Sequence, residues 1–165
     1  MSTYDQIDFA ILGLLSRDAE QSAGALAKQL GMSQPAVWRR IRRLEKSGVI
    51  KGHRLVLDRE KLGFGVTVFL GIKLSGKKGG QLEDFERAVS AIPEVQTVQH
   101  VLGMYDYRLR VVARDIVDFE RILRRRIMTL PEAGDVEANV LLSEERRPGP
   151  ILSLIHISEP TRHTR

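Results

Sequence analysis

Residues 33–52, SQPAVWRRIRRLEKSGVIKG, decide the fold of the N-terminal third. Apolar residues recur there at helical spacing, which predicts a helix with one buried face. These apolar residues are Val37, Ile41 and Leu44. Ser33 is a good N-cap for this helix, and Pro35 falls in the first turn, where its missing N–H costs nothing. Gly48 is predicted to end the helix.

Two further helices are predicted ahead of this one, over residues 6–16 and 22–30, each with apolar residues on one face. Asp5 suits the N-cap of the first, with Asp8 three residues further on. Gly31 ends the second and leaves a short turn before the third. The order helix, helix, glycine-containing turn, helix is the helix-turn-helix plan.

A cationic face is predicted opposite the buried side of the third helix. Residues 39–54 hold seven Lys or Arg against a single acid, Glu45, and such a cluster is the usual footprint of polyanion binding. In a helix-turn-helix, the start of this helix meets base edges while cations contact phosphates. The predicted partner is therefore double-stranded DNA. The residues predicted to contact it are Ser33, Gln34, Pro35, Trp38, Arg39, Arg42 and Arg43.

Each of these assignments has a structural alternative. On charge alone, a solvated helix face explains the cluster as well as DNA binding does. Trp38 would serve equally well as a half-buried wedge between helices. Arg40 lies beside the apolar stripe, so an ion pair with an acid of the first helix is favoured over a base contact.

The rest of the chain predicts a second domain. Residues 53–58, HRLVLD, alternate in polarity and predict a strand, and residues 60–65, EKLGFG, predict a hinge. Four further strands are predicted at residues 66–74, 95–102, 107–113 and 136–142, and two helices at residues 82–92 and 116–129. This β-α-β-β-α-β order is the split βαβ plan, with both helices on one face of an antiparallel sheet. Residues 66–74 are apolar enough to predict burial on both faces, which predicts dimerisation through the uncovered face.

The turn at residues 103–106, GMYD, is the candidate ligand site of this half. Gly103 permits a tight conformation, and Asp106 sets a carboxylate beside the Tyr105 phenol, groups that suit the ammonium of a small zwitterion. From the residues alone, a plain turn in which Asp106 caps its own backbone is the better explanation. No catalytic residue, cofactor motif or metal site is predicted, because the four histidines lack a second ligand at metal spacing and SGKKGG lacks the spacing of a phosphate loop.

Composition narrows the class of protein. The 165 residues are 42% hydrophobic and 28% charged, a globular balance, and contain no cysteine. With no signal-like N-terminus and no apolar run of about eighteen residues, a cytoplasmic protein without a membrane span is predicted. The net charge of +5 is concentrated in residues 1–65, which hold 11 Lys/Arg and 7 Asp/Glu, whereas residues 66–151 hold 13 of each.

Several motifs together resemble the Lrp/AsnC (leucine-responsive, feast/famine) family of prokaryotic transcriptional regulators, from about residue 5 to residue 151. They are the D-x-x-D of DQID, LAKQLGMS, RRIRRLEKSGVIKG, DREKLGFG and GMYDYRLRV. The resemblance implies an α+β chain: a winged helix-turn-helix domain over residues 1–52, a linker over 53–65, and a ferredoxin-like effector-binding and oligomerisation domain over 66–151. A nucleoid-associated regulator is implied.

The same resemblance implies homodimers, often assembled into octamers, and transcription switched by an amino-acid effector. It also implies that Gly103, Tyr105 and Asp106 line an effector pocket at the contact between dimers, and this raises the effector interpretation above the plain turn. Trp38 and PGPI resemble a branch linked to amino-acid catabolism. LPEAGDVEANV departs from the family pattern by about one added residue, and it sets Glu137 near the expected pocket rim.

Residues 152–165, LSLIHISEPTRHTR, lie beyond the family pattern. They resemble the in-frame translation of a sequencing adapter and are predicted to be a non-native tail, with a native tail strand as the alternative.

Two other classes of function share parts of this pattern. Some two-domain proteins of this layout are haem-biosynthesis (sirohaem) decarboxylases, but these need histidines and arginines around a tetrapyrrole cavity. Here the C-terminal half before the tail has only His100. An architectural, chromosome-coating protein is the second alternative, and it would bind DNA with little sequence preference.

Overall fold

The computed structural model describes residues 4–76 and 80–145, and the chain divides into two compact units. The first unit holds three helices: α1 (Gln6–Arg17), α2 (Ala23–Leu30) and α3 (Gln34–Lys46). The second unit, from residue 56 to residue 144, holds β1 (Val66–Leu74), α4 (Gln81–Ser90), β2 (Val95–His100), β3 (Tyr107–Ala113), α5 (Ile116–Ile122), a π-helical turn (Leu123–Ile127) and β4 (Ala133–Val140). The predictions for SGKKGG, PGPI and residues 152–165 fall wholly or partly outside the described residues.

Helix α1 begins with two mutually bonded aspartates. The Asp5 side chain accepts a hydrogen bond from the Asp8 N–H at 2.8 Å, and the Asp8 side chain accepts one from the Asp5 N–H at 3.0 Å. This is a capping box, which satisfies two N–H groups that have no partner within the helix. The predicted N-cap is therefore confirmed.

The turn between α2 and α3 is short because Gly31 reverses the chain. Its φ of 64° is left-handed, which costs glycine little, and the Met32 N–H donates to the Ala27 carbonyl at 3.0 Å. The three helices then enclose a small core, in which Ile11, Leu26, Ala27, Val37 and Leu44 are buried. The predicted helix-turn-helix is confirmed.

The second unit is a four-stranded antiparallel sheet in the order β2-β3-β1-β4. The core lies on one face of the sheet, where strand residues pack with apolar residues of α4 and α5. These buried residues include Val68, Leu70, Ile72, Leu109, Phe85, Val89, Phe119 and Ile122. The predicted α+β class and ferredoxin-like arrangement are confirmed.

The opposite face of the sheet is only partly covered within one chain. On β1, Phe69 is half-buried beneath the guanidinium groups of Arg108 and Arg110, whose Cζ atoms lie 5.4 and 5.7 Å from the ring centroid. Lys73 of the same strand is exposed. The prediction that this strand is buried on both faces is therefore wrong for the single chain, because charged side chains occupy part of the second face.

Several predicted elements differ from the structure. For example, β2 ends at His100 instead of residue 102, and β4 ends at Val140 instead of residue 142. Residues 51–58 have no regular secondary structure, and Leu55 and Val56 are 86% and 87% exposed, so the strand predicted at residues 53–58 is wrong. Polarity alternation alone does not make a strand, because its N–H and C=O groups need a neighbouring strand. Strand β4 begins earlier than predicted, and one extra residue is accommodated opposite Ile72 and Leu74 as a bulge.

No helix within residues 4–76 and 80–145 combines the length and the apolar character that crossing a bilayer requires.

The capping aspartate predicts an acid dependence of stability. The Asp8 N–H and then the Arg40 guanidinium bond to Asp5 and hold the pKa of its carboxyl below the ordinary value. The carboxyl of Asp5 therefore binds a proton more readily in the unfolded chain than in the folded one. Its contribution to folding stability is complete above the ordinary pKa and is lost as pH falls through the lower pKa of the folded state. The melting temperature, measured from about pH 6 to about pH 3, should fall more steeply in the wild type than in Asp5→Asn, which keeps the capping oxygen. Parallel curves would contradict this.

Candidate functional site

Helix α3 presents an exposed polar and cationic surface. All residues predicted to contact DNA are exposed there or at its N-cap: Ser33, Gln34, Pro35, Trp38, Arg39, Arg42 and Arg43. Val37 and Leu44, on the other side of the helix, are fully buried. The helical period therefore brings the predicted residues to one surface, as the spacing indicates.

The start of α3 is an electropositive helix end. Unlike Asp5 and Ser22, Ser33 makes no capping hydrogen bond through its side chain to any residue that the structure describes. Pro35 in the first turn has no N–H, and the Ala36 and Val37 N–H groups both donate to the Ser33 carbonyl at 3.1 Å. The helix dipole adds positive charge at this end. Backbone phosphates bind well at such positions.

Trp38 supports one cation of this surface. Its side chain is 52% exposed, and the Arg42 guanidinium carbon lies 5.2 Å from the ring centroid, a cation–π distance. Arg42 Nη1 also lies 3.2 Å from Glu45 Oε2. Trp38 thus holds Arg42 in place, a role that the sequence reasoning missed although the spacing of four residues would have indicated it.

Two other arginines of α3 are bound to α1 through Asp8. Arg40 Nη1 lies 2.7 Å from Asp5 Oδ2 and 2.8 Å from Asp8 Oδ1, which confirms the ion pair predicted for Arg40. Arg43 Nη2 lies 2.5 Å from Asp8 Oδ2, a contact that was not predicted. Within the described residues Asp8 is the only buried polar or charged residue, whereas the Arg43 side chain remains 55% exposed.

An open notch lies along the flank of α3. Its volume is about 330 Å³, and it is lined by Met32, Ala36, Arg39, Arg40 and Arg43. Three arginines therefore border one concave surface.

The candidate effector turn is attached to β1 by its backbone and by Asp106. Gly103 has a φ of 156°, which favours glycine. The Asp106 N–H donates to the Ile72 carbonyl at 3.0 Å, and Asp106 Oδ2 accepts from the Leu74 N–H at 2.9 Å. The Asp106 side chain thus bonds to a neighbouring strand, which differs from the plain turn in which it caps its own backbone.

Tyr105 lies across β1 at a glycine. A Cβ on Gly71 would stand 2.6 Å from a ring carbon of Tyr105, so the ring occupies the space that a side chain would need. The Tyr105 hydroxyl donates to Glu137, which also accepts a hydrogen bond from Asn139 Nδ2 at 3.1 Å. The bond between them raises the pKa of Tyr105 and lowers the pKa of Glu137.

The turn at residues 103–106 and the Glu137 side chain form one surface, because Tyr105 of the turn bonds to Glu137. Glu137 does lie beside Tyr105, as its predicted position near the pocket rim indicated. Gly71 was missed by the sequence reasoning, although a glycine inside an apolar strand signals a bulge or a close approach of another group.

Together, the helix-turn-helix with its cationic surface and the ferredoxin-like unit with its polar turn define a DNA-binding regulator that carries a ligand-binding domain. The chain matches the model of the Lrp/AsnC ligand-binding domain over residues 67–151 and that of a winged helix-turn-helix DNA-binding domain over residues 4–51. It belongs to the Lrp/AsnC family.

Relatives of known name agree with this assignment. The chain is 34% identical to a proline dehydrogenase transcriptional activator of Rhizobium radiobacter, over 88% of this chain and 93% of the relative. It is 35% identical to a glutamate uptake regulatory protein of Zymomonas mobilis, over 94% and 93%. The chain is therefore a DNA-binding transcriptional regulator of a family whose members respond to amino acids or related small effectors.

Solved structures agree as well. An AsnC family transcriptional regulator from Agrobacterium tumefaciens matches with a TM-score of 0.81 and 33% identity, over 88% of this chain and 94% of that one. AsnC from E. coli matches with a TM-score of 0.80 and 26% identity, over 88% and 97%.

The approach of Tyr105 to Gly71 predicts that Gly71→Ala is destabilising. The added methyl group must displace the ring and break its bond to Glu137, and overpacking of this kind costs about 1–3 kcal/mol. Urea denaturation would measure the loss. Gly65→Ala is the matched control, since a Cβ there meets only an ordinary contact, 3.5 Å from the Arg114 carbonyl. Equal effects of the two substitutions would contradict the close approach.

Proposed function

We propose that α3 is the recognition helix of this regulator and that it contacts DNA through the exposed surface described above. The observation that carries the proposal is the concentration of exposed arginines on the helix that follows the glycine turn. The residues assigned to DNA contact are Ser33, Gln34, Pro35, Trp38, Arg39, Arg42 and Arg43. The regulator acts on chromosomal DNA in the cytoplasm and has no catalytic role.

Charge and geometry support this proposal. Helix α3 contains one acid, Glu45, and this acid is paired with Arg42. The exposed N-terminal turn of the helix suits a phosphate, and the side chains of its first two turns would face base edges in the major groove. Neutralising four or five phosphates gives a slope near roughly −4 for log affinity against log salt.

A homodimer, assembling further into octamers, is part of the same proposal. The sheet face that α4 and α5 leave open carries Phe69 beneath two guanidinium groups, and it is only partly covered within one chain. A second copy on this face would remove the ring from water. Two copies would also place two recognition helices on one duplex.

Arg39 is the first residue to test. Arg39→Ala should weaken binding to a duplex enriched by in vitro selection and reduce the salt slope by about 0.9, the contribution of one phosphate. The double variant Arg39→Ala/Arg43→Ala should abolish this binding. Fluorescence anisotropy measures affinity, and sedimentation velocity checks that all forms share one oligomer.

Arg87→Ala is the matched control for this series, because Arg87 is an exposed arginine of α4 in the other unit. It should leave both affinity and slope unchanged. If Arg39→Ala behaves like the control, the recognition surface is assigned wrongly. A monomeric wild type would contradict the homodimer.

The effector is proposed to be an amino acid bound at Gly103, Tyr105 and Asp106. Glu137 is exposed and ionised at neutral pH, since its bonds to Tyr105 and Asn139 lower its pKa. A carboxylate beside a phenol suits an ammonium group, and the N–H groups of the turn suit a carboxylate. Two relatives named for proline dehydrogenase and glutamate uptake support an amino acid as the class of ligand.

A thermal-shift screen of the twenty amino acids would identify the ligand. A ligand at about 100 times its Kd adds roughly 2.7 kcal/mol of stability. Asp106→Asn keeps an oxygen for the Leu74 N–H but loses its charge, so it should abolish the shift and leave effector-free DNA binding intact. Glu83→Gln, which removes an exposed acid from α4, is the control. An undiminished shift in Asp106→Asn would exclude Asp106 from the site.

A further inference from the structure

The buried Asp8 carboxylate holds two of the arginines that border the α3 notch. We propose that Asp8 is a positioning residue for DNA recognition, and that the notch bordered by Arg39, Arg40 and Arg43 receives one phosphate of the DNA backbone. The proposal rests on the DNA contacts assigned to α3 above, and it assigns a role to a residue that does not itself touch DNA.

The contacts of Asp8 fix its carboxylate completely. Asp8 Oδ1 accepts from Arg40 Nη1 at 2.8 Å, and Oδ2 accepts from Arg43 Nη2 at 2.5 Å and from the Asp5 N–H at 3.0 Å. The side chain has no exposed surface. Charge-assisted bonds to a buried acceptor are strong and directional, so both guanidinium groups are held to α1 before DNA arrives.

Such preorganisation matters because arginine is flexible. A free arginine side chain loses up to about 2 kcal/mol of rotamer entropy when it becomes ordered. Since Asp8 already orders Arg43, this cost falls on folding and not on DNA binding. Arg43 remains 55% exposed, so its guanidinium, with five N–H donors in all, still faces an incoming acceptor.

The same ion pairs remove the long-range electrostatic attraction that Arg40 and Arg43 would otherwise exert on DNA. Two guanidinium groups, Arg40 and Arg43, are balanced by two carboxylates, Asp5 and Asp8, so the cluster is neutral overall. Arg39, the third arginine of the notch, makes no ion pair with any residue in the described ranges. A cluster that is oriented but neutral adds to DNA affinity only when a phosphate is in direct contact with it and correctly aligned. Such a contact favours the correct DNA sequence over DNA in general.

The chemistry of the notch matches a phosphodiester. Its lining contains Arg39, Arg40 and Arg43 but not Asp8, whose burial keeps the carboxylate away from an entering anion. A planar guanidinium group can donate to two oxygens of one phosphate at once. The notch flanks the helix whose first turns would enter the major groove, so the group that reaches it is a phosphate at the groove edge.

The test compares Asp8→Asn with Glu20→Gln in the full chain. Both substitutions change the net charge by one, and Glu20 lies in an exposed turn after α1. Anisotropy would be measured with the duplex enriched by in vitro selection and with a scrambled duplex at one salt concentration. Asp8→Asn should lower affinity for the selected duplex by about tenfold while affinity for the scrambled duplex is kept or raised. Glu20→Gln should leave the ratio of the two affinities unchanged.

Arg43→Lys is the second variant. It tests the proposal if circular dichroism shows that Asp8→Asn is unfolded. It keeps the charge but loses the planar fork, so the ratio of affinities should fall here too. An unchanged ratio in folded Asp8→Asn or in Arg43→Lys overturns the proposal, as does an equal loss on both duplexes in Asp8→Asn. A wild type that does not distinguish the duplexes would instead refute sequence-specific recognition by α3.

Discussion

The first unit depends on one buried carboxylate. Asp8 helps to begin α1 through the capping box, and it also binds Arg40 and Arg43 of α3. A buried charge is costly unless it is paired, and removing one partner of such a group costs about 3–5 kcal/mol. The start of the first helix, the packing of the third and the direction of two surface arginines are therefore determined together.

In the second unit, the corresponding constraint is the close approach of the Tyr105 ring to the backbone of Gly71. Tyr105 can lie across β1 only because residue 71 is glycine, and Asp106 holds the turn to the Leu74 N–H. These contacts bring a phenol beside Glu137 on a neighbouring strand. The turn is thereby fixed to the sheet, and a rigid support of this kind favours a defined ligand geometry.

The two units divide the work of a regulator in physical terms. One carries an exposed arginine-rich helix, which we propose contacts DNA, and the other carries a small polar surface with both hydrogen-bond donors and acceptors. A ligand changes DNA binding only if it binds two states of the protein with different affinity. We propose that a second copy on the partly covered sheet face, where Phe69 lies beneath two guanidinium groups, creates such states.

Local patterns in the sequence determined the helix-turn-helix, the order of strands and helices, and the exposed surface of α3, because apolar periodicity reports which side of an element is buried. Tertiary structure alone decided that Arg43 pairs with Asp8, since 35 residues separate them and periodicity carries no information over that distance. It also decided that HRLVLD is not a strand, because strand formation depends on a neighbouring strand. The position of Tyr105 over Gly71 likewise follows from the packing of the turn on the sheet.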